Sequence, residues 1–384
     1  MFGNKSIIGL DIGSRVVKMA ELKKVGDVCV LEKFGVEEVY PDGKKGQGDL
    51  NIKQAQIAAI KRMLQNAKYK PKKAVTAVSG ESVIVRYIQL PEMPEEELKN
   101  ALQWEAEEYI PFHIEDVNLD SVILGRVPDG SKIDVLLISA KKEIINNQVD
   151  ILTESGLIPH AIDVDSFAFL NCYEYNYQPS KDEVTALINI GAEITSINIM
   201  MEGVSRFSRD ISIAGDTITS SIQSKLGISF KDAEDLKIRI GAPVENLDSQ
   251  GLDASGMPEI VDTIKSTVEK LTGDDLGDDS SEAIASKVIK NTLKNLANEL
   301  QRSIQFFENQ VNGKPVQKVF IGGGTTKLKN IDKFLFEQLN IPTEIIDPLR
   351  RIKKTGKDID RNLLGNNGEL LGTVIGLALR KVAD

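Results

Sequence analysis

The sequence predicts an α/β fold in which one unit occurs twice and a small α+β insert interrupts the first copy. Two segments, beginning at Ile8 and Ala186, share one pattern: apolar strand, Asp or Asn, apolar residue, glycine, small residue, second apolar strand. The common register aligns three pairs of residues: Asp11 with Asn189, Gly13 with Gly191, and Ser14 with Ala192. Because a glycine turn with free backbone N–H groups suits a phosphate, we expect the two copies to face each other across a small polar ligand.

The composition narrows the class of protein. A chain of 384 residues with 41% hydrophobic content is long enough to form two or three folded domains. It contains no apolar run of the roughly 18 to 20 residues that cross a bilayer, and its N-terminus lacks a signal-peptide layout, which predicts a cytoplasmic protein. A net charge of −10 and a pI near 5.1 argue against nucleic acid as a partner.

Cysteine and histidine are too sparse to define a site. The chain has two of each: Cys29, Cys172, His113 and His160. Their spacing fits neither a disulfide framework nor a cysteine or histidine metal cluster.

In the first copy, the hydrophobic pattern alternates between strands and helices. The hairpin and a further strand precede a predicted helix at 52–67 and a buried strand at 73–79. Residues 85–160 then form the predicted insert, whose elements are a helix at 94–110, strands at 119–127 and 133–140, a helix at 142–155 and a short strand near Ala161. Pro94 and the acidic residues after it are typical of a helix start.

The second copy begins near Val184, after a connecting helix predicted at 165–175. Two further helices are predicted at 216–226 and 231–240. Residues 241–285 are rich in Asp, Gly and Ser, which predicts a mobile, solvated loop region. A long helix at 283–311 follows, with its apolar residues on one stripe.

A third glycine segment follows an apolar strand near the C-terminus. Gly322, Gly323 and Gly324 precede Thr325 and allow the backbone to approach a ligand closely. The segment is not a P-loop, because no Gly-Lys-Ser/Thr follows at the required spacing, and Lys327 stands where a dinucleotide motif has a third Gly or Ala. Taken alone, each glycine segment is explained by a tight structural turn, but their order along the chain has another explanation.

That order resembles the actin-like superfamily of nucleotide-binding proteins, which includes actin and FtsA, over essentially the whole chain. Five segments carry the resemblance: 10–14 as the first phosphate motif, 188–192 as the second, 321–325 as the adenosine motif, and 163–169 and 372–378 at the two connecting helices. The resemblance implies a duplicated actin-like (ribonuclease H-like) ATPase fold with an FtsA-type small α+β insert in its first half. It also implies ATP and Mg²⁺ as cofactors.

The resemblance implies a nucleotide site assembled from all three glycine segments and the helices between them. Its implied members are Asp11, Gly13, Ser14, Lys18, Asn189, Gly191, Ala192, Gly215, Asp216, Glu234, Lys237, Gly322, Gly323, Gly324 and Thr325. Backbone N–H groups of both hairpin turns, together with Lys18, would donate to the phosphates. Glu234 and Lys237 would reach the ribose, and Asp11 and Asn189 would hold Mg²⁺ through its waters.

The same resemblance implies a division of the chain into subdomains. Residues 1–84 form the first actin-like subdomain, 85–160 the insert, and 161–183 the return to the first subdomain with its connecting helix. Residues 184–227 and 312–371 form the second actin-like subdomain, 228–311 a smaller subdomain with the acidic loop, and 372–384 the C-terminal connecting helix.

Within the superfamily, four segments resemble the PilM family of type IV pilus assembly proteins: 85–98, 104–112, 210–215 and 302–307. This implies a cytoplasmic scaffold, peripheral at the inner membrane, whose groove between the first α/β unit and the insert takes the N-terminal cytoplasmic tail of PilN in a nucleotide-coupled way. Tyr87, Trp104 and Tyr109 are the expected peptide contacts. Other pilus assembly proteins and self-association are further implied interactions. Since the amphipathic C-terminal helix of FtsA has no counterpart, we expect no direct membrane anchor.

The chain departs from the superfamily pattern at Asn189, where many members have Asp. An asparagine can hydrogen-bond to a metal-bound water but adds no negative charge, so we expect ATP binding to be better preserved than ATP hydrolysis. Asp163 or Asp165, at the start of the first connecting helix, is the candidate for orienting the attacking water. The alternative role for either residue is that of a helix cap.

Two other functions remain open from the sequence. A sugar-kinase-like phosphotransferase of the same superfold would need a catalytic Asp beside a roomy second pocket. An FtsA-like filament-forming protein is the other alternative, although the missing C-terminal helix disfavours it.

Overall fold

The computed structural model describes residues 7–41, 51–66, 72–94, 97, 101–102, 107–126, 130, 132–244, 280–354, 364–365 and 367–380. Its strands are β1 (Ile7–Ile12), β2 (Val16–Val25), β3 (Val28–Glu38), β4 (Lys73–Val78), β5 (Val83–Pro91), β6 (Val117–Arg126), β7 (Lys132–Lys141), β8 (Ile158–Val164), β9 (Thr185–Ile190), β10 (Thr195–Met201), β11 (Val204–Ile211), β12 (Lys318–Gly322) and β13 (Thr343–Ile345). Its helices are α1 (Ile52–Asn66), α2 (Lys142–Glu154), α3 (Asp165–Tyr177), α4 (Gly215–Leu226), α5 (Phe230–Ile240), α6 (Ser281–Gln310), α7 (Ile331–Leu339) and α8 (Gly372–Leu379).

The predicted duplication is present in the two large sheets. Each has five strands, in the orders β3-β2-β1-β4-β8 and β11-β10-β9-β12-β13, so every strand of one sheet has a counterpart in the other. The registers also correspond, since Asp11 pairs with Lys18 in the first hairpin and Asn189 with Ser196 in the second. The α/β fold class with a repeated unit is therefore confirmed.

The insert contributes a separate antiparallel sheet of three strands in the order β5-β7-β6. Sequence reasoning did not identify β5 as a strand. The boundary predicted at residue 160 falls within β8, which pairs in parallel with β4 of the first large sheet, and α2 packs on these two strands. The described sheet of the insert thus spans residues 83–141.

Two helices, α3 and α8, connect the halves, which are the first sheet with its insert and the second sheet with α4 to α7. A shared apolar core brings Leu31 of β3 together with Phe169 of α3, Phe320 of β12 and Val374 of α8. The helices cross so closely that a Cβ on Gly376 would overlap the carbonyl oxygen of Ala168. Glycine is required there because the two backbones meet without a side chain between them.

The helices α5 and α6 share one core with the second sheet, in which Leu236, Leu293 and Phe307 pack with Ile188. Most of the predicted acidic loop, residues 245–279, lies outside the described residues, as does Trp104. Within the described ranges, none of the helices has both the length and the apolar character of a membrane span.

Candidate functional site

A cavity of about 380 Å³ lies between the two halves. Its wall includes residues from the first hairpin, the second hairpin, α4, α5 and the glycine segment after β12. Eight of the residues predicted for the nucleotide site line this cavity: Gly191, Ala192, Gly215, Asp216, Glu234, Lys237, Gly324 and Thr325. The structure therefore brings together residues that are up to 134 positions apart in sequence.

The two hairpin turns have matching geometry. A Cβ on Gly13 would lie 2.7 Å from the Val16 carbonyl oxygen, and one on Gly191 would lie 2.8 Å from that of Ile194, so each turn requires glycine. The Gly191 N–H donates to the Ile194 oxygen at 2.9 Å. This N–H, predicted to serve a phosphate, is thus used within the hairpin. Gln56 of α1 supports the other turn by donating to the Gly13 oxygen at 3.2 Å.

The N-terminus of α4 is tied directly to the second hairpin. The N–H groups of Gly215 and Asp216 donate to the carbonyl oxygens of Gly191 (3.1 Å) and Ala192 (2.7 Å). Thr325 adds a hydroxyl donor to the Gly191 oxygen at 2.7 Å. Gly215 is needed because a Cβ there would lie 2.5 Å from the Thr325 hydroxyl oxygen. Hairpin, helix and third glycine segment therefore form one rigid wall of the cavity.

The third glycine segment packs against both the hairpin and a connecting helix. Gly323 has φ +92°, and a Cβ there would lie 2.5 Å from the side-chain oxygen of Asn189. Gly322 faces the Phe169 ring, which a Cβ would approach to 2.7 Å. Gly324 alone of the three is exposed, and it lines the cavity. Only this glycine of the segment is placed to approach a ligand.

Glu234 and Lys237 share one face of α5, as their spacing predicts. The Lys237 ammonium lies 2.7 Å from the Glu234 carboxylate, 3.0 Å from the Thr219 hydroxyl and 3.3 Å from the Gly215 carbonyl oxygen. Since an ammonium has three donors, these acceptors satisfy it. Lys237 is 4% exposed, so its ammonium secures α5 to α4, while Glu234 remains partly exposed at the cavity.

Deeper between the halves lies a charged cluster built around Asp165. The Asn189 amide donates to the Asp165 carboxylate at 2.9 Å and to the Thr373 hydroxyl at 3.2 Å. Lys18 pairs with Asp11 at 2.7 Å. Burial and the neighbouring Asp11 charge together raise the pKa of Asp165 to about 7, against the lowering effect of the Asn189 hydrogen bond. The structure thus places two predicted metal residues and one predicted catalytic residue in one cluster.

Asp163 lies in a different environment. Its carboxylate pairs with Arg380, just after α8, at 2.6 Å and accepts the Val164 N–H at 2.8 Å. These contacts hold the end of β8 to the connecting helix. Of the two candidate catalytic residues, Asp165 is the one joined to the hairpin residue Asn189.

Sequence reasoning missed Arg15 and Phe230. Arg15 Nε lies 3.1 and 3.0 Å from the two carboxylate oxygens of Asp216, and its guanidinium carbon lies 3.8 Å from the centre of the Phe230 ring. Both residues line the cavity. The sequence feature that could have identified Arg15 is its position directly after Ser14 in the turn.

A second cavity, of about 450 Å³, separates the insert from the second half. One wall is the β5 edge at residues 83–86, and the facing wall is β11 and its continuation, residues 208–213. Both strands are edges of their sheets. Two hydrogen bonds join the two sides: Asp210 accepts the Gly80 N–H, and Tyr87 bonds to Ser205.

The predicted peptide contacts have distinct environments. The Tyr87 hydroxyl lies 2.5 Å from that of Ser205, across the boundary between the halves, and burial raises the Tyr87 pKa above its usual range. Close by, Arg206 pairs with Asp134 at 2.9 Å. Tyr109 packs on the core of the insert. Tyr87 is thus a contact between the insert and the second half.

Two matching sheets, two crossing helices and a glycine-walled cavity between the halves define the actin-like ATPase fold. The family model of the type IV pilus assembly protein PilM matches residues 9–252 and 258–382. The chain therefore belongs to the PilM family.

Solved structures resemble this chain over nearly its whole length. The chain is similar to the one in the PilM-PilN type IV pilus biogenesis complex, with a TM-score of 0.76, 26% identity and 98% of each chain covered. It shares its fold with MreB5 of Spiroplasma citri bound to AMPPNP, with a TM-score of 0.52, 15% identity and coverage of 99% and 97%. The ethanolamine utilization protein EutJ from Carboxydothermus hydrogenoformans matches with a TM-score of 0.50, 12% identity and coverage of 97% and 88%.

Proposed function

We propose that this chain is a cytoplasmic, nucleotide-binding scaffold of a type IV pilus assembly machine, held at the inner membrane by the N-terminal tail of a PilN protein. The observation that carries the proposal is the pair of cavities in a PilM-family chain, since each is walled by both halves. One cavity takes the nucleotide and the other takes the peptide.

ATP is the nucleotide that best fits the first cavity. The exposed Gly324 offers backbone that a ligand can approach without a Cβ in the way, and Glu234 presents a partly exposed carboxylate to a ribose. The Ser14 hydroxyl and the first hairpin turn supply donors for phosphate oxygens. The AMPPNP bound in the MreB5 structure supports a triphosphate in this fold.

The charged cluster fits Mg²⁺ bound through water. The Asp11 charge raises the pKa of Asp165, and a divalent cation bound beside them would relieve this repulsion. Asn189 adds a neutral acceptor oxygen. When bound, Mg²⁺ would neutralise phosphate charge, while Asp11 would hold its waters.

Hydrolysis is expected to be slow in this site. Asp165, rather than Asp163, is the residue that would orient a water, because Asp163 is neutralised by Arg380. Asp165 accepts a hydrogen bond from the amide of Asn189. Position 189 therefore adds no second negative charge to the metal site. Bound ATP would then remain in the site and act as a signal.

The peptide is proposed to lie extended in the second cavity, between the insert and the second half, and not in the predicted groove between the first α/β unit and the insert. β5 and β11 are edge strands of their sheets and both line this cavity, so an added strand would pair with the backbone groups that remain unpaired along these edges. Edge pairing supplies affinity, while pockets for alternate side chains supply specificity. The PilN chain in the similar PilM-PilN complex supports this partner.

Nucleotide couples to peptide because each cavity is lined by residues of both halves. Each lies between the first and second halves, so a change in closure at the nucleotide alters the separation of β5 and β11. A nucleotide that favours one closure shifts the population toward the matching peptide-binding state.

The test is calorimetric titration of the full chain with a synthetic PilN N-terminal peptide, with and without ATP and Mg²⁺. We expect the peptide affinity to change at least about fivefold with nucleotide, the lower end of the usual range of coupling. Ser208→Trp, which fills the cavity, should abolish peptide binding, and Ser208→Ala is the matched control that should retain it. Equal affinity with and without nucleotide would remove the coupling, and unchanged binding by Ser208→Trp would remove this peptide site.

A further inference from the structure

Arg15 links the two halves directly across the nucleotide cavity. It lies in the first hairpin turn, whereas its partner Asp216 belongs to the first turn of α4 in the second half. The side chains are 19% and 15% exposed, and both line the cavity. This ion pair therefore stands where the phosphates of a bound nucleotide would be expected.

The pairing leaves the guanidinium incompletely satisfied. Both Asp216 oxygens contact the same donor, Nε, at 3.1 and 3.0 Å. Nη2 is buried and has no hydrogen-bond partner among the described residues. A guanidinium binds best through two parallel N–H donors on two oxygens, and a buried donor without an acceptor costs free energy. A better-shaped anion can therefore compete with Asp216.

The surroundings hold Arg15 in place for such an exchange. Phe230 lies against one face of the guanidinium, at 3.8 Å from its carbon to the ring centre, which is a cation–π distance. Asp216 at the start of α4 is favourably placed by the helix dipole and does not depend on Arg15 alone. Moving the guanidinium from Asp216 to an anion therefore leaves no uncompensated carboxylate.

We propose that Arg15 distinguishes nucleoside triphosphates from diphosphates by exchanging Asp216 for the terminal phosphate. This inference rests on the proposed nucleotide site and states which nucleotides that site distinguishes. A terminal phosphate presents several charged oxygens to the planar fork of arginine, which a lysine cannot match. Binding of a triphosphate then breaks a direct link between the halves, whereas a diphosphate leaves the link intact.

The test measures the affinity of the full chain for AMPPNP and for ADP, each with Mg²⁺, by calorimetry. Arg15→Ala should reduce the AMPPNP affinity about ten- to a hundredfold, the range of one charge-assisted hydrogen bond, with little effect on ADP. Arg15→Lys should recover only part of the preference. Asp216→Asn should strengthen AMPPNP binding, because it weakens the competing partner.

Arg239→Ala is the matched control, because Arg239 lies on the exposed side of α5 and pairs with Glu282. Its two affinities should equal those of the wild type, and thermal unfolding should show that every variant is folded. An unchanged ratio of AMPPNP to ADP affinity in Arg15→Ala would overturn this inference alone. Failure of the wild-type chain to bind either nucleotide would overturn the nucleotide site and this inference with it.

Discussion

Asn189 donates a hydrogen bond of 2.9 Å to the carboxylate of Asp165, which joins the second hairpin to the start of the first connecting helix. The contact depends on the amide, because a carboxylate at position 189 would oppose a buried carboxylate. Asparagine at position 189, where the superfamily pattern has Asp, therefore helps to hold the two halves together.

Asn189→Asp should lower the free energy of unfolding by about 1–3 kcal/mol without Mg²⁺, since it replaces a donor with a like charge. Urea denaturation at neutral pH measures the change. Thr373→Val is the matched control, because it removes the weaker 3.2 Å bond to the same amide without adding charge. Equal losses in the two variants would contradict the role given to charge.

The same substitution should increase phosphate release from ATP in the presence of Mg²⁺. The added carboxylate would strengthen the proposed metal site and the polarisation of water beside Asp165. A coupled phosphate assay compares the variant with the wild type. If release did not rise, Asn189 would not be the cause of slow hydrolysis.

Asp210→Asn should change how stability depends on pH. Burial raises the pKa of Asp210, although the Gly80 N–H that it accepts opposes the shift. The folded state therefore binds more protons than the unfolded state, so this carboxyl lowers stability as pH rises from about 4 toward its folded pKa. Asparagine keeps an acceptor for Gly80 but cannot ionise.

We therefore expect the melting temperature of Asp210→Asn to fall less steeply than that of the wild type as pH rises from about 4, the carboxyl's usual pKa, through its raised folded pKa. Asp332→Asn, in the first turn of α7, is a control that removes an acidic group elsewhere. Parallel curves for wild type and Asp210→Asn would contradict the prediction.

Lys237 should act mainly in stability, and Glu234 mainly in nucleotide binding. Lys237→Met removes a buried ammonium that has three acceptors but leaves a carboxylate, Glu234, that is partly exposed, so we expect a loss of about 1–3 kcal/mol in stability. Glu234→Gln keeps the packing of α5 and should mainly weaken nucleotide binding. Denaturation and calorimetry on both variants make the comparison, and a stable Lys237→Met chain would contradict it.

The side chains of Tyr87 and Ser205 should be energetically coupled. A double-mutant cycle with Tyr87→Phe and Ser205→Ala should give an interaction free energy of about 0.5–1.5 kcal/mol, because the hydroxyls pair in a buried contact. Additive effects would show that the insert does not gain stability from this contact. Hydrogen exchange of β5 offers a second readout, and it should quicken in either single variant.

Gly376→Ala should prevent stable folding, because its Cβ would occupy the position of the Ala168 carbonyl oxygen. The expected loss exceeds about 3 kcal/mol, beyond ordinary overpacking. Gly368→Ala is the matched control, since a Cβ there meets nothing within 4 Å. A soluble Gly376→Ala chain with wild-type melting would contradict the close crossing.

The repeated architecture was predictable because it depends on local patterns that occur twice. The hairpins around Gly13 and Gly191 each need glycine for the same turn, so their similarity survives in sequence. The pairing of Glu234 with Lys237 was predictable for a related reason, since helical spacing places them on one face.

Contacts across the cleft were not predictable in this way. Arg15 and Asp216 are 201 positions apart, and no local pattern selects one as the partner of the other. Tyr87 is predicted to contact a peptide, and its hydroxyl also bonds to Ser205 of β11, a contact that only the docking of the insert reveals. Likewise, Asp163 and Asp165 look equivalent in sequence until Arg380 is placed beside one of them.

The crossing of α3 and α8 at Gly376 limits the kinds of motion that are open to this molecule. Backbones in direct contact have no layer of side chains that can change rotamer, so the helices are unable to slide past each other in small steps. Rotation about the contact point remains possible. Nucleotide binding would then affect the insert through a change in the angle between the two helices, with the contact at Gly376 as a fixed pivot.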